Sequence, residues 1–284
     1  MQCQTCGDPT SPEDPDCRRC GTPFGQPPVL PNVPTYPVRG LGTAAAVAVG
    51  AATVLYLPGA LFPLVGVRMA RVAGEREDRD LVMVAALAEV LLGLPYALAV
   101  LVAGVLVIIW TWRARTNLDA FPGALPSLGA GWAIAGWLVP LANLVVPARM
   151  VANVARDSLP RRTTPALVGV WWAAWLAFTV GDILVARDDS RRYERLTEWP
   201  RNDVEFGSYV RYYQDTLDTR LLLCAACLVA GVSFIVLLRW ISAAQQDRIA
   251  RAAPAWPGHP GWSRGGVSAT SPQLPPGAGG TIGA

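Results

Sequence analysis

Apolar residues in this chain gather in runs too long for the core of a soluble domain. A helix needs ~20 apolar residues to cross ~30 Å of hydrocarbon. Four runs meet that length: Leu41 to Val67, Leu81 to Trp112, Ala166 to Ala186 and Leu221 to Ile241. Pro58, Gly59 and Pro63 interrupt the first, so a kink is expected near its far end. A fifth run, Leu128 to Pro147, is long enough to span, but Pro140 breaks the hydrogen-bond ladder near its middle and Asn143 places an amide just beyond. Both features are tolerated at membrane depth only where protein or water covers the backbone, so this run is either a broken fifth span or a re-entrant one. The expected fold class is all-α. It is a polytopic helical membrane bundle of four spanning helices plus one re-entrant or fifth spanning helix, preceded by a small N-terminal zinc-binding module.

Composition agrees with a membrane protein and excludes several function classes. Of 284 residues, 52% are hydrophobic and 16% charged, against ~25% charged in ordinary soluble domains, and the mean hydropathy is +0.32. Eleven tryptophans suit interfacial anchoring. A net charge of +3 is too small to argue for a nucleic-acid partner. All 24 basic residues are arginine, which reads as the codon bias of a GC-rich bacterial genome and points to a bacterial cell membrane. The single histidine, His259, falls in a Pro/Gly-rich stretch. With no paired central acids and no Ser or Cys beside a base, no enzymatic activity is expected and no small-molecule substrate is identified.

The chain divides into a zinc-ribbon-like module (1–25), a Pro-rich linker (26–40), a helical membrane domain (41–251) and a Pro/Gly-rich tail expected to be disordered (252–284). With Pro27, Pro28, Pro31, Pro34 and Pro37, the linker cannot form a helix and is expected to be an extended spacer. The first apolar run begins far from Met1, so no cleaved leader is expected and that run serves as a signal anchor.

The most specific signal is the pair of knuckles Cys3-x-x-Cys6-Gly7 and Cys17-x-x-Cys20-Gly21. Two residues between thiolates let both sulfurs face one tetrahedral Zn²⁺, and the glycine after each pair supplies the positive φ of a tight turn. The other reading, two disulfides, needs an oxidising compartment. Structural zinc held by Cys3, Cys6, Cys17 and Cys20 is the expectation, and a segment this small would draw its folding free energy from the metal. Zinc thiolates in turn place the N-terminus in the cytoplasm. Cys224 and Cys227 share the spacing but sit in an apolar helix, where small-residue packing explains them better.

Glu89 and Asp182 fall near the ends of their apolar runs and are expected at the interfaces, where they carry no ion pathway. Residues 187–220 form a polar connection in which Phe206, Tyr209 and Tyr213 share one helical face, read as an interfacial aromatic belt.

The stretch 110–158 carries further motif residues: Trp110, Trp112, Arg113, Arg115 and Asn117, then Trp132, Trp137, Pro140, Asn143 and Pro147. Together with Trp171, Trp172 and Trp175, and with Arg239, Ile241 and Gln245, this pattern resembles the bacterial membrane family known as domain of unknown function 4328, over roughly residues 45–250. Ala135 and Leu138 depart from its commoner glycine and aromatic. The resemblance implies a compact multi-helix membrane domain, often with Pro-rich or zinc-ribbon extensions, and transfers no activity. Trp110 and Trp112 anchor a helix end at the headgroups, where Arg113 and Arg115 meet phosphates or cap carbonyls. A sharper alternative has the arginines and Asn117 clamping the broken segment through Asn143. The expected function is a non-enzymatic membrane adaptor or sensor whose cytoplasmic zinc module binds an unknown protein partner. The alternative is a small transporter or channel using the broken helix around Pro140 and Asn143.

Overall fold

A computed structural model describes residues 1–11, 15–20, 22–23, 25–160 and 164–252. The expected tail beyond Ala252, with His259, and the turn glycine Gly21 lie outside the described residues. Among the described residues there are helices and turns but no strand, only two isolated bridges.

Seven helices follow in order: α1 (Arg39–Arg76), α2 (Arg79–Asn117), α3 (Trp132–Leu138), α4 (Pro140–Asn143), α5 (Val146–Ser158), α6 (Ala166–Tyr193) and α7 (Asp203–Ala252). In hydrocarbon a chain must satisfy its backbone internally, and long apolar runs do so as helices. Four helices, α1, α2, α6 and α7, are long and apolar enough to cross a membrane. At 1.5 Å per residue the 50 residues of α7 extend about 75 Å, more than twice the hydrocarbon thickness. Its first part therefore stands outside the membrane. α1 stays helical through Pro58 and Pro63. It turns into α2 over Glu77, in the left-handed conformation, and Asp78, whose side chain accepts from the Asp80 amide. α7 opens on a capping box: Glu205 N donates to Asn202 Oδ1 (3.0 Å) while Asn202 Nδ2 donates to Glu205 Oε1 (2.9 Å).

The spanning helices pack in the order α2–α1–α7–α6, and the backbones of the two outer helices do not approach one another closely. Close approach in the α1–α7 seam needs glycine: a Cβ at Gly231 would collide with Thr53, and one at Gly66 with the Tyr213 ring. One core surrounds Trp110 and Trp171, with the Trp171 ring stacked on Phe234 at 4.4 Å. A second, toward the α1–α2 turn, joins Phe62, Ala70, Val82, Phe206, Tyr209 and Tyr213. The aromatic stripe read as an interfacial belt is thus buried between helices. Its residues do share one face, but that face meets α1.

The fifth run does not cross. Asn153 of α5 donates its amide to Ser127, so the segment returns to the end of the bundle where it began. That same end, the terminal face, also holds Tyr36, Asn117 and Gln245. Between these points α3, α4 and α5 form a broken hairpin whose tip, Leu141, is 82% exposed. The ambiguity of the sequence resolves into four helices long and apolar enough to span and a hairpin that returns to the end where it began. α3 packs on α2, and α5 touches α2, α6 and α7, so this segment bridges the two outer helices on the terminal side.

Candidate functional site

The two cysteine knuckles are built alike. Gln2 bridges Pro9 and Asp16 bridges Pro23, so each C-x-x-C lies in a tight loop closed by backbone bonds such as Cys3 N to Asp8 O (2.9 Å) and Cys17 N to Thr22 O (3.0 Å). Gly7 adopts φ +78°, the conformation for which glycine was expected there. All six cysteines are free thiols. The four N-terminal sulfurs lie within 4.8 Å of one another, with Cys3 to Cys20 and Cys6 to Cys17 each at 3.6 Å. Four sulfurs at ~2.3 Å from a tetrahedral ion stand ~3.8 Å apart, so these residues fit a metal ion.

The electrostatics of the cluster are uneven. Burial pushes the Cys3 thiol up, but bonds from the backbone of Cys6 and Thr5 and from the sulfurs of Cys20 and Cys17 outweigh it, bringing the group from 9.0 to about 7. Burial pushes the Cys6 and Cys20 thiols above their ordinary range. Cys3 ionises early, whereas Cys6 and Cys20 resist unless a cation joins them.

This knob is latched to the membrane domain. From the last turn of α7, Arg251 Nε donates to Gln4 O (3.1 Å) and Nη2 to Thr5 O, both inside the first knuckle. One turn earlier, buried Arg248 donates to Pro28 O (2.8 Å) and Pro122 O (3.3 Å) and lies over the Phe121 ring. The Pro-rich linker is held as well. Leu30 N donates to Ala120 O (2.8 Å), and Tyr36 N and O both pair with the Asn117 side chain at 2.7 and 2.9 Å. Its extended backbone is as expected, but it is a strap bound to the bundle and not a free spacer. The prolines forbid helix, and strap carbonyls left free become acceptors, Pro28 O for Arg248 of α7 and Tyr36 O for Asn117.

The motif residues of α2 serve this strap. Trp110 is fully buried and donates to Ser242 Oγ (2.8 Å). It therefore ties α2 to α7 and does not anchor at headgroups. Trp112 packs on Tyr36 at 5.2 Å, and Arg113 donates to Pro37 O (3.4 Å). Arg115, nearly buried, donates to Leu128 O and pairs with Asp119 at 2.8 Å. Arg115 does clamp the start of the broken segment, but neither it nor Asn117 reaches Asn143. Asn143 Oδ1 is buried and has no hydrogen-bond partner among the described residues. Trp132 is exposed, Trp137 points its edge into the bundle, and Pro147 is buried in the first turn of α5.

A polar cluster missed by sequence reasoning lies toward the other end of the spans. Arg220 of α7 pairs with Glu89 of α2 (2.6 Å) and Asp189 of α6 (2.9 Å), and donates to Gly59 O (3.3 Å). Nearby, Tyr56 donates its hydroxyl to Asp182 Oδ1 (3.1 Å). Glu89 and Asp182, expected at the interfaces, both meet protein partners. The available signal was the seven-residue interval between Asp182 and Asp189, two helical turns on one face.

No curated protein and no solved structure matches the chain. A family model described as Domain of unknown function (DUF4328) matches residues 73–198. That range is narrower than the resemblance read from the sequence, taking in α2, the broken hairpin and α6 but little of α1 and none of α7. Over residues 73–198, from the α1–α2 turn to just past α6, this chain is similar to the family described as domain of unknown function 4328.

Proposed function

We propose that this is a non-enzymatic membrane adaptor or sensor whose N-terminal knob, loaded with structural zinc, lies in the cytoplasm and binds a protein partner. The observation that carries the reading is the latch between Arg251 and the carbonyls of Gln4 and Thr5. It joins a metal-shaped knob directly to the end of a spanning helix, so a change in the bundle alters how the knob is presented. Four thiolates close off an ion from substrate, which suits a structural metal and not a catalytic one. A bacterial cell membrane and a reducing compartment for the N-terminus complete the proposal.

The test is a photo-crosslinking amino acid placed at Gln4, exposed on the knob, in cells expressing the full chain. The reading expects one defined protein product that disappears when Cys17→Ser removes the metal. A knob that forms no crosslink with or without its cysteines would sink it. A second reading, a small transporter or channel at the broken helix of Pro140 and Asn143, draws support from Trp137, which this helix contributes to a cavity among the spans.

A further inference from the structure

Two adjoining cavities lie between the outer helices. α2 and α6 each pack on an inner helix and not on one another, which leaves a cleft between them. An inner cavity of about 390 Å³ is walled by Val100, Val107, Trp171, Trp175 and Phe178, with Trp137 of the re-entrant hairpin on its terminal side. That volume falls within the ~300–1,000 Å³ of small-molecule pockets. An adjoining cavity of about 240 Å³ shares Tyr96 and Asp182 with the first and adds Glu89, Asp189 and Arg220. Aromatic walls thus lead to a charged end.

The charges there do not balance. Three carboxyl groups face one guanidinium, and Arg220 already spends all three nitrogens on Asp189, Glu89 and Gly59 O. Asp182 holds only the Tyr56 hydroxyl. It lies 16 residues into α6, about 24 Å along the helix from Ala166 and below the level of Asp189. An anionic head would meet three carboxyl groups there and a guanidinium already paired with two of them, whereas a cationic head would meet a carboxyl group of opposite sign.

We propose that this cleft binds a lipophilic cation, with an apolar body in the inner cavity and an ammonium head at Asp182. The α2–α6 gap gives such a molecule access from the bilayer, and the re-entrant hairpin closes the cleft on the terminal side.

The test uses the full chain in phosphatidylcholine nanodiscs and reads quenching of tryptophan fluorescence. Two probes carry the same nitroxide-tailed alkyl chain, one ending in trimethylammonium and the other in sulfate. The expected result is saturable quenching by the cation at concentrations about tenfold lower than by the sulfate. Asp182→Asn should weaken the cation about tenfold and leave the sulfate unchanged. Gly104→Leu, placed where a Cβ meets no atom within 4 Å, should fill the inner cavity and abolish saturation for both probes. Equal curves for the two probes, absence of saturation, or indifference to Asp182→Asn would show that ordinary bilayer lipid fills the cleft, and would overturn the proposal. Should Asp182→Asn not fold, the decision falls to Gly104→Leu: a cation preference that it erases upholds the site, and one that survives it overturns the site.

Discussion

Asn117 and Gln245 meet side chain to side chain, Nδ2 of the first donating to Oε1 of the second at 3.0 Å across 128 positions of sequence. Both are fully buried. Gln245 Nε2 in turn donates to Ala114 O (3.0 Å) and Ser158 Oγ (2.8 Å), while the rest of Asn117 holds the backbone of Tyr36. One knot therefore joins strap, α2, α5 and α7, and each member satisfies polar atoms that burial would otherwise leave unpaired.

Gln245→Leu strands the Ser158 hydroxyl, the Ala114 carbonyl and one Asn117 proton. A loss of ~1–3 kcal/mol is expected for such a buried unpaired group, read as a lower midpoint of unfolding in detergent. Asn117→Ala should cost a similar amount and also free the strap, so limited proteolysis should cut within 26–40. If that segment stays protected in Asn117→Ala, the knot is not what holds it. A double-mutant cycle on the two positions should show coupling, because each removes the other's partner.

The spans, the cysteine cluster and the ambiguity at Pro140 were legible in the sequence because each rests on local properties. Apolar length decides whether Leu221 to Ile241 is a helix at membrane depth, and thiol spacing decides whether Cys3 and Cys6 can face one ion. The Arg220 cluster was not legible. Its members come from α2, α6 and α7, and which helices face one another depends on seams such as Gly231 against Thr53 that no single run reveals. Trp110 was misread for the same reason: a tryptophan at the end of an apolar run fits headgroups or a neighbouring helix equally well, and only Ser242 decides between them. The strap also escaped, since proline-rich composition reports what a backbone cannot form and nothing about which donors reach its carbonyls.

Metal loading makes a prediction about protons. In the metal-free knob the Cys3 thiol sits at about 7, lowered from 9.0, so near pH 7 it is about half ionised, while Cys6 and Cys20 are raised and remain protonated. Zinc takes thiolates, so binding must expel the protons still held. Calorimetry of the full chain at pH 7, in buffers of differing ionisation enthalpy, should report one equivalent of Zn²⁺ and release of about three to four protons. The sign follows for the metal-free state. Groups with raised values, Cys6 and Cys20, favour the folded knob below about 9 and lose that contribution as pH rises through their folded values; Cys3 acts in the opposite sense between 9 and 7. The metal-free knob should therefore loosen above about pH 9 while the loaded one does not. Two stable disulfides in the native protein would exclude the metal and the cytoplasmic placement together.

Topology offers the sharpest test of the fold. Arginine bias cannot supply the answer: four crossings divide the 24 arginines 13 to 11 and five divide them evenly, a margin that decides nothing. The structure supplies it through contacts. Asn153 returns to Ser127, Ser158 accepts from Gln245 near the end of α7, and Arg251 reaches the first knuckle. Residues 4, 127, 158 and 251 therefore share one face, and the α6–α7 turn lies on the other. Pro140 explains why the hairpin stops short of crossing. It breaks the ladder at Val139, and the chain restarts as a separate short helix with Leu141 exposed at the tip. Reporter fusions after Ser158 and after Arg251 should both report the cytoplasm, and one after Pro200 the outside. An exterior signal after Ser158 with a cytoplasmic one after Pro200 would require five true crossings. It would also put Asn117 and Gln245 on opposite sides of the membrane, which their buried 3.0 Å contact does not permit.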